Sequence, residues 1–82
     1  MTTNQSQTEA DTTVDARGAT CPGPLMDLIS EVRAVDSGTV IALLSDAGNS
    51  PTEVREWAEE SGNEVLATEE LDDHYRILVR KG

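Results

Sequence analysis

Eighty-two residues with one cysteine, one histidine and no phenylalanine allow a single small domain. They exclude an internal disulfide and a structural zinc centre, which needs four nitrogen or sulfur ligands. Sixteen acidic against six basic residues give a net charge of −10, which opposes direct binding to nucleic acid and to anionic membrane.

The first eleven residues are polar and lack apolar periodicity, which predicts a disordered N-terminal tail over 1–11 and one domain over 12–82. No apolar leader opens the chain, and no run approaches the ~18 apolar residues of a membrane span. The expectation is a monomer in a reducing cytoplasm. Residues 12–16 alternate weakly, with Val14 and Ala16 on one side, and predict a short strand. Leu25, Leu28, Ile29, Val32 and Val35 then follow the spacing of an amphipathic helix, which Ser37-Gly38 ends. The run 39–45 is apolar on both faces and predicts the most buried strand. After a turn at 46–49, Ser50 is placed to cap a second helix, with Pro51 at its first position and Glu53 closing a capping box. Val54, Trp57 and Ala58 form its stripe, and Gly62 is placed to end it. Residues 63–70 and 75–80 predict two strands joined by a turn at 71–74, hence a hairpin.

The order is β-α-β-α-β-β. The first two strands, joined through a helix, are expected to be parallel. The fold class is α/β (α+β): a two-layer sandwich with a four-stranded mixed sheet, both helices on one face and the other face largely solvated.

The stretch Arg17-Gly18-Ala19-Thr20-Cys21-Pro22-Gly23-Pro24 carries the chemistry. A residue before proline is pushed out of the α region, and Pro22 suits the first helical position, so Cys21 is expected at the N-cap. Pro24 falls in the first turn, where its missing N–H was unpaired anyway. Gly23 offers the amide nearest the sulfur and leaves its approach open. A helix N-terminus stabilises a thiolate and would stabilise a persulfide anion in the same way. The pattern predicts a presented nucleophile; the alternative is a small cysteine that merely packs. Thr20 and Gly23 beside it do not make an apolar pocket.

A cysteine hydrolase needs a histidine base and an oxyanion site. The sole histidine, His74, falls in the 71–74 turn and is expected to be solvated there. There is no Cys-x-x-Cys and no glycine-rich phosphate loop. One activated sulfur without base, metal or cofactor suits a carrier.

Val14-Asp15-Ala16-Arg17-Gly18-x-x-Cys21-Pro22-x-Pro24 resembles the signature of the TusA/SirA-like sulfur-carrier family, and Tyr75-Arg76-Ile77-Leu78-Val79-Arg80-Lys81-Gly82 resembles the family's closing strand. The resemblance runs from Val14 to Gly82. It implies the same element order, and a persulfide on Cys21 received from a cysteine desulfurase or similar donor protein and passed to an acceptor protein. Family destinations include 2-thiouridine in tRNA, molybdenum-cofactor sulfur and dissimilatory sulfur oxidation. By the resemblance Asp15 and Arg17 sit beside the cysteine. Asp15 would brace the loop through backbone N–H groups; Arg17 would either favour the sulfur anion by its charge or form a surface salt bridge. Where relatives carry Asp-Asp-Pro and Asp-Ile-Pro, this chain has Asp46-Ala47-Gly48 and Glu53-Val54-Arg55, which bears on its donor and acceptor.

The implied protein is a sulfur carrier that partners a sulfurtransferase rather than a stand-alone enzyme. The competing classes are a regulatory or interaction module with a redox-sensing or inert cysteine, and a sulfurtransferase acting on a small molecule. The acidic, lysine-poor surface suits either a high-salt cytoplasm, where self-repulsion is screened, or docking to basic partner enzymes.

Overall fold

A computed structural model of the chain describes residues 10–18 and 23–82, apart from the side chain of Pro24. The elements are β1 (Thr12–Asp15), α1 (Gly23–Ala34), β2 (Val40–Ser45), α2 (Ser50–Ser61), β3 (Glu64–Glu70) and β4 (Tyr75–Arg80), the order expected from the sequence. The sheet order is β1-β2-β4-β3. β1 runs parallel to β2 with Val14 opposite Leu43. β4 lies antiparallel to both β2 and β3, with Leu43 opposite Ile77 and an irregularity between Val65 and Ala67 in β3.

Strand side chains alternate between faces, and paired residues share one. Ile41, Leu43, Ile77 and Val79 therefore form one face. They make a single core with Leu28 and Val32 of α1 and Val54 of α2, against which Val14, Leu25, Trp57 and Tyr75 pack. Both helices thus cover the same side of the sheet.

The other face is less solvated than expected. Ala42 and Leu78, opposite each other in the register, are also buried. On that face Arg76 bonds Glu69 at 3.2 Å and Arg80 bonds Glu64. Long arginine side chains can cover apolar surface with their stems while the guanidinium stays wet.

Gly62 ends α2 in the left-handed conformation at φ 82°, as its sequence position suggested, with the Asn63 amide bonded to the Ala58 carbonyl at 3.0 Å. The start of α2 departs from the expected capping box. Asn49 is the cap residue and makes no side-chain capping bond; instead its amide donates to Glu53 Oε2 at 3.1 Å. Ser50 is turned inward, because the end of β2 offers its hydroxyl a buried partner. Among the described residues no helix is long and apolar enough to cross a membrane.

Candidate functional site at the carboxyl end of the parallel strands

α1 follows β1 and α2 follows β2, so both helices begin at the carboxyl ends of the two parallel strands. β4, antiparallel to β2, starts there, with Tyr75 opposite Ser45. The β1–α1 segment, the β2–α2 turn and the β3–β4 turn consequently meet at one end of the sheet. In open α/β sheets this is the end where ligand and partner chemistry collects.

Asp15 closes β1. Its Oδ1 accepts the Arg17 amide at 3.2 Å and Arg17 Nε at 2.9 Å, and its Oδ2 accepts Arg17 Nη2 at 2.8 Å. Asp15 therefore holds one backbone amide of the segment, and Arg17 is engaged with it in a salt bridge. The Arg17 side-chain bond, then the Arg17 amide, hold the Asp15 carboxyl down at about 2. The same bond raises Arg17 above the usual arginine range.

The strand pairing continues one residue beyond β1, where the Ala16 amide donates to the Leu44 carbonyl at 2.8 Å. The chain then leaves the sheet. Gly18 adopts φ 88°, a conformation that excludes most side chains, and its amide donates to Asp46 Oδ2 at 2.9 Å. Beneath Asp46 lies a buried polar pair: the hydroxyls of Ser45 and Ser50, 0 % and 2 % exposed, are 2.7 Å apart. Ser45 Oγ also accepts the Ala47 amide at 3.2 Å, and the Ser50 amide donates to the Ala47 carbonyl at 3.1 Å. The turn is fixed from below by these bonds.

His74 corrects its expected place as a solvated turn residue. Its side chain is only 14 % exposed, with Nδ1 2.5 Å from Asp73 Oδ1, and that bond lowers the Asp73 carboxyl. The pairing of β4 with β2 carries the β3–β4 turn to the site end, close enough for His74 to act electrostatically on Asp15, and Asp73 and Asp46 on Arg17. A cleft of about 240 Å³ between the β2–α2 and β3–β4 turns is rimmed by Asp46, Glu70, Asp72 and Asp73, with Tyr75 and His74 also lining it. Met26 in α1 and Leu71 in the β3–β4 turn are large apolar side chains left exposed.

Of the residues singled out in the sequence, the fold brings Asp15 and Arg17 into direct contact, and Gly23 opens α1. Cys21 and Pro22, with the expected N-cap, lie outside the described residues, as does the Pro24 side chain. The sequence reading missed Asp46 and the serine pair. The sequence marks Asp46 as a turn residue and as part of Asp46-Ala47-Gly48, but not as the partner of Gly18; Ser45, a hydroxyl ending an otherwise apolar run, is the local signal for the pair. Among the described residues no group of three or more His, Cys, Asp or Glu side chains is placed to hold a metal ion. The first turn of α1 contains no acidic residue, so its positive end is not compensated there.

A family model described as "Sulfurtransferase TusA" matches residues 12–81. The chain is 40 % identical over 68 residues to a protein of Archaeoglobus fulgidus described as "Putative sulfur carrier protein", covering 83 % of this chain and 93 % of that one. A protein of Halobacterium salinarum with the same description is 33 % identical over 70 residues, covering 84 % and 86 %. A crystal structure of a SirA-like protein from Desulfitobacterium hafniense superposes with a TM-score of 0.71 at 26 % identity, over 87 % of this chain and 97 % of that one.

Proposed function

Because the chain belongs to the TusA sulfurtransferase family, we propose that it carries sulfur as a persulfide on Cys21, moving it between a donor protein and an acceptor protein in the cytoplasm. The observation that carries the reading is that the family match over 12–81 encloses the sole cysteine of the chain, set in Cys21-Pro22-Gly23-Pro24, whose Gly23 opens a helix with no acidic residue in its first turn.

In loading, the Cys21 thiolate attacks the outer sulfur of a persulfide on a cysteine desulfurase or similar donor. The donor's S–S bond breaks, its cysteine leaves as thiolate, and a persulfide forms on Cys21. In unloading, a thiolate of the acceptor attacks that outer sulfur and Cys21 is released as thiolate. Each step is an exchange at sulfur of the thiol–disulfide kind, with no net oxidation and no cofactor. The thiolation of tRNA uridine and sulfuration of the molybdenum cofactor are the downstream routes that family membership suggests. Asp15 and Gly18 support the segment leading to Cys21, Pro22 and Pro24 stiffen it, and Gly23 leaves the sulfur approachable. Arg17, held by Asp15, contributes a charge already engaged in an ion pair.

The test is loading by a desulfurase with cysteine as sulfur source, read by intact-protein mass spectrometry. The parent is expected to gain one sulfur atom on Cys21. Cys21→Ser is expected to gain none while keeping its circular dichroism spectrum, since serine at a helix start is well tolerated. An unloaded parent would favour an interaction module with an inert cysteine. Unfolding of Cys21→Ser would show that the thiol packs in the core.

A further inference from the structure

The end of the molecule opposite the candidate site carries a groove of another character. It lies between the C-terminal halves of α1 and α2, encloses about 280 Å³, and is walled by Ile29, Val32 and Trp57 together with Arg33 and Lys81. No aspartate or glutamate lines it, although 16 of the 82 residues are acidic. The cleft at the site end, by contrast, is rimmed by Asp46, Glu70, Asp72 and Asp73.

Arg17, Arg76 and Arg80 are each paired with a carboxylate. Arg33 and Lys81 make no such pair among the described residues. Arg33 is exposed in the last turn of α1. Lys81 Nζ is held in place by donating to the Val35 carbonyl at 2.6 Å, which leaves two of its three N–H donors. Compensation of the negative pole of α1 accounts for cations at this helix end, but not for the indole beside them. Trp57, the sole tryptophan, is half-buried, packs against the core and lines the groove. The floor is braced from within. Ser61 Oγ donates to the Trp57 carbonyl at 2.7 Å, Asn63 Nδ2 donates to Ser61 Oγ at 2.8 Å, and the Gly82 amide donates to Asn63 Oδ1 at 2.9 Å. These polar groups satisfy one another, so the two cations are what the groove offers a ligand. Even with the Gly82 carboxylate counted, the lining keeps a positive excess, on a chain whose net charge is −10.

An apolar and aromatic wall with a few placed charges is the general make-up of a small-molecule site, and the volume restricts the occupant to a small one. We propose that the groove between α1 and α2 binds a small molecule in which a flat apolar ring carries one anionic group: the ring against Trp57, Ile29 and Val32, the anion between Arg33 and Lys81. The ring supplies the apolar area that leaves water, and the indole face favours an offset or edge-on aromatic partner. The anion supplies selectivity, because most of this chain's surface repels it and the groove does not. The site shares no residue with the sulfur chemistry, so it stands or falls separately from the use of Cys21.

The experiment titrates the full chain with three probes and follows its proton–nitrogen NMR spectrum, in which the Trp57 indole N–H is a single resolved reporter. The probes are 2-naphthoate, 2-naphthalenemethanol, which has the same ring without the charge, and inorganic phosphate, which has the charge without the ring. Naphthoate is expected to shift the Trp57 indole and the Ser61 and Lys81 amides saturably, with a Kd of about 1 mM, as modest ligand efficiency gives for a molecule of this size. The alcohol is expected to bind roughly three- to tenfold more weakly, a loss between that of an exposed ion pair and that of a charge-assisted hydrogen bond. Phosphate alone should leave the indole signal in place. Arg33→Gln keeps the stem and removes the charge, and the same spectrum shows whether it is folded. It should weaken naphthoate by a similar factor and leave the alcohol within about twofold of the parent, since the ring contacts remain. Lys81→Gln, which keeps an amide to donate to the Val35 carbonyl, should do the same. Equal binding of naphthoate and the alcohol, equal loss of both in the two variants, shifts that spare the Trp57 indole, or no saturable shift with naphthoate at ten times the expected Kd would each overturn the site.

Discussion

α1 and α2 are each twelve residues long and pack on the same face of the same sheet, yet they begin in opposite ways. α2 starts with its electrostatics closed: Glu53 lies in its first turn, Asn49 reaches back to that carboxylate, and Ser50 is locked into the core by Ser45. α1 starts open. Its first turn has no acidic residue, two prolines flank Gly23, and the only cysteine stands two residues upstream. A helix start that has already taken a carboxylate serves architecture. One that has not can stabilise an anion that comes and goes during a reaction. Their ends differ in the reverse sense, with Arg33 in the last turn of α1 and no basic residue in that of α2.

The comparison breaks most severely if α1 loses its grip on the sheet, because an open start is useful only on a fixed helix. Leu28 is fully buried in the shared core. Leu28→Ala is expected to cost about 2–5 kcal/mol, from lost burial and the cavity left behind. For a domain this small, whose core supplies only on the order of 3–5 kcal/mol, that loss would leave much of the population unfolded. Urea denaturation followed by circular dichroism measures it. A loss under about 1 kcal/mol would mean that α1 docks independently of the cooperative core.

The element order could be read from the sequence because each element carries its own period: Leu25, Leu28 and Val32 mark one helical stripe, and the run ending at Ser45 can only be a buried strand. Placing β4 rather than β3 beside β2 required more. The signal was there in part, since Ile77, Leu78 and Val79 are apolar on both faces while Glu64, Glu69 and Glu70 suit a sheet edge. The site was legible only where its contacts are local. Asp15 and Arg17 are two positions apart, and bracing by Asp15 followed from residue type. The Asp46–Gly18 bond depends on the parallel register of β1 and β2, which a local reading cannot supply. Ser50 misled because a serine before proline is a good cap, and only the fold reveals the better partner at Ser45. His74 misled for a related reason: a turn residue is solvated by default, and only the β2–β4 pairing brings this turn against the site.

The second difference between the helices, at their C-terminal ends, predicts a response to salt. Glu59 and Glu60 lie in the last turns of α2 and are exposed, near the negative pole of the helix. Each is unfavourable there by about 0.3–1 kcal/mol at low ionic strength, on a chain whose net charge is already −10. Raising KCl from about 0.1 M to 1 M shortens the screening length from about 10 Å to about 3 Å and is expected to raise the unfolding temperature. The charge-reduced variant Glu59→Gln with Glu60→Gln should be more stable than the parent at low salt and should respond less to KCl. Glu69 is left in place because it pairs with Arg76. Equal salt slopes for parent and variant would show that the salt effect comes from apolar burial rather than from these carboxylates.

The smallest expected effect is also the most direct attack on the contrast between the two starts. Gly23→Glu gives α1 the first-turn carboxylate that α2 already has in Glu53. The new charge would compete with the Cys21 sulfur anion for the positive end of the helix. A terminal charge–dipole interaction of about 0.3–1 kcal/mol corresponds to a thiol pKa higher by about 0.2–0.7 units. The alkylation rate of Cys21 should therefore fall at neutral pH and recover at alkaline pH, where the thiolate forms regardless. Gly23→Gln supplies the same bulk without the charge, so a loss shared by both variants would be steric and should persist at high pH. If Gly23→Glu matches Gly23→Gln at every pH, the uncompensated start of α1 does not act on the sulfur, and the difference between the two helices concerns stability alone.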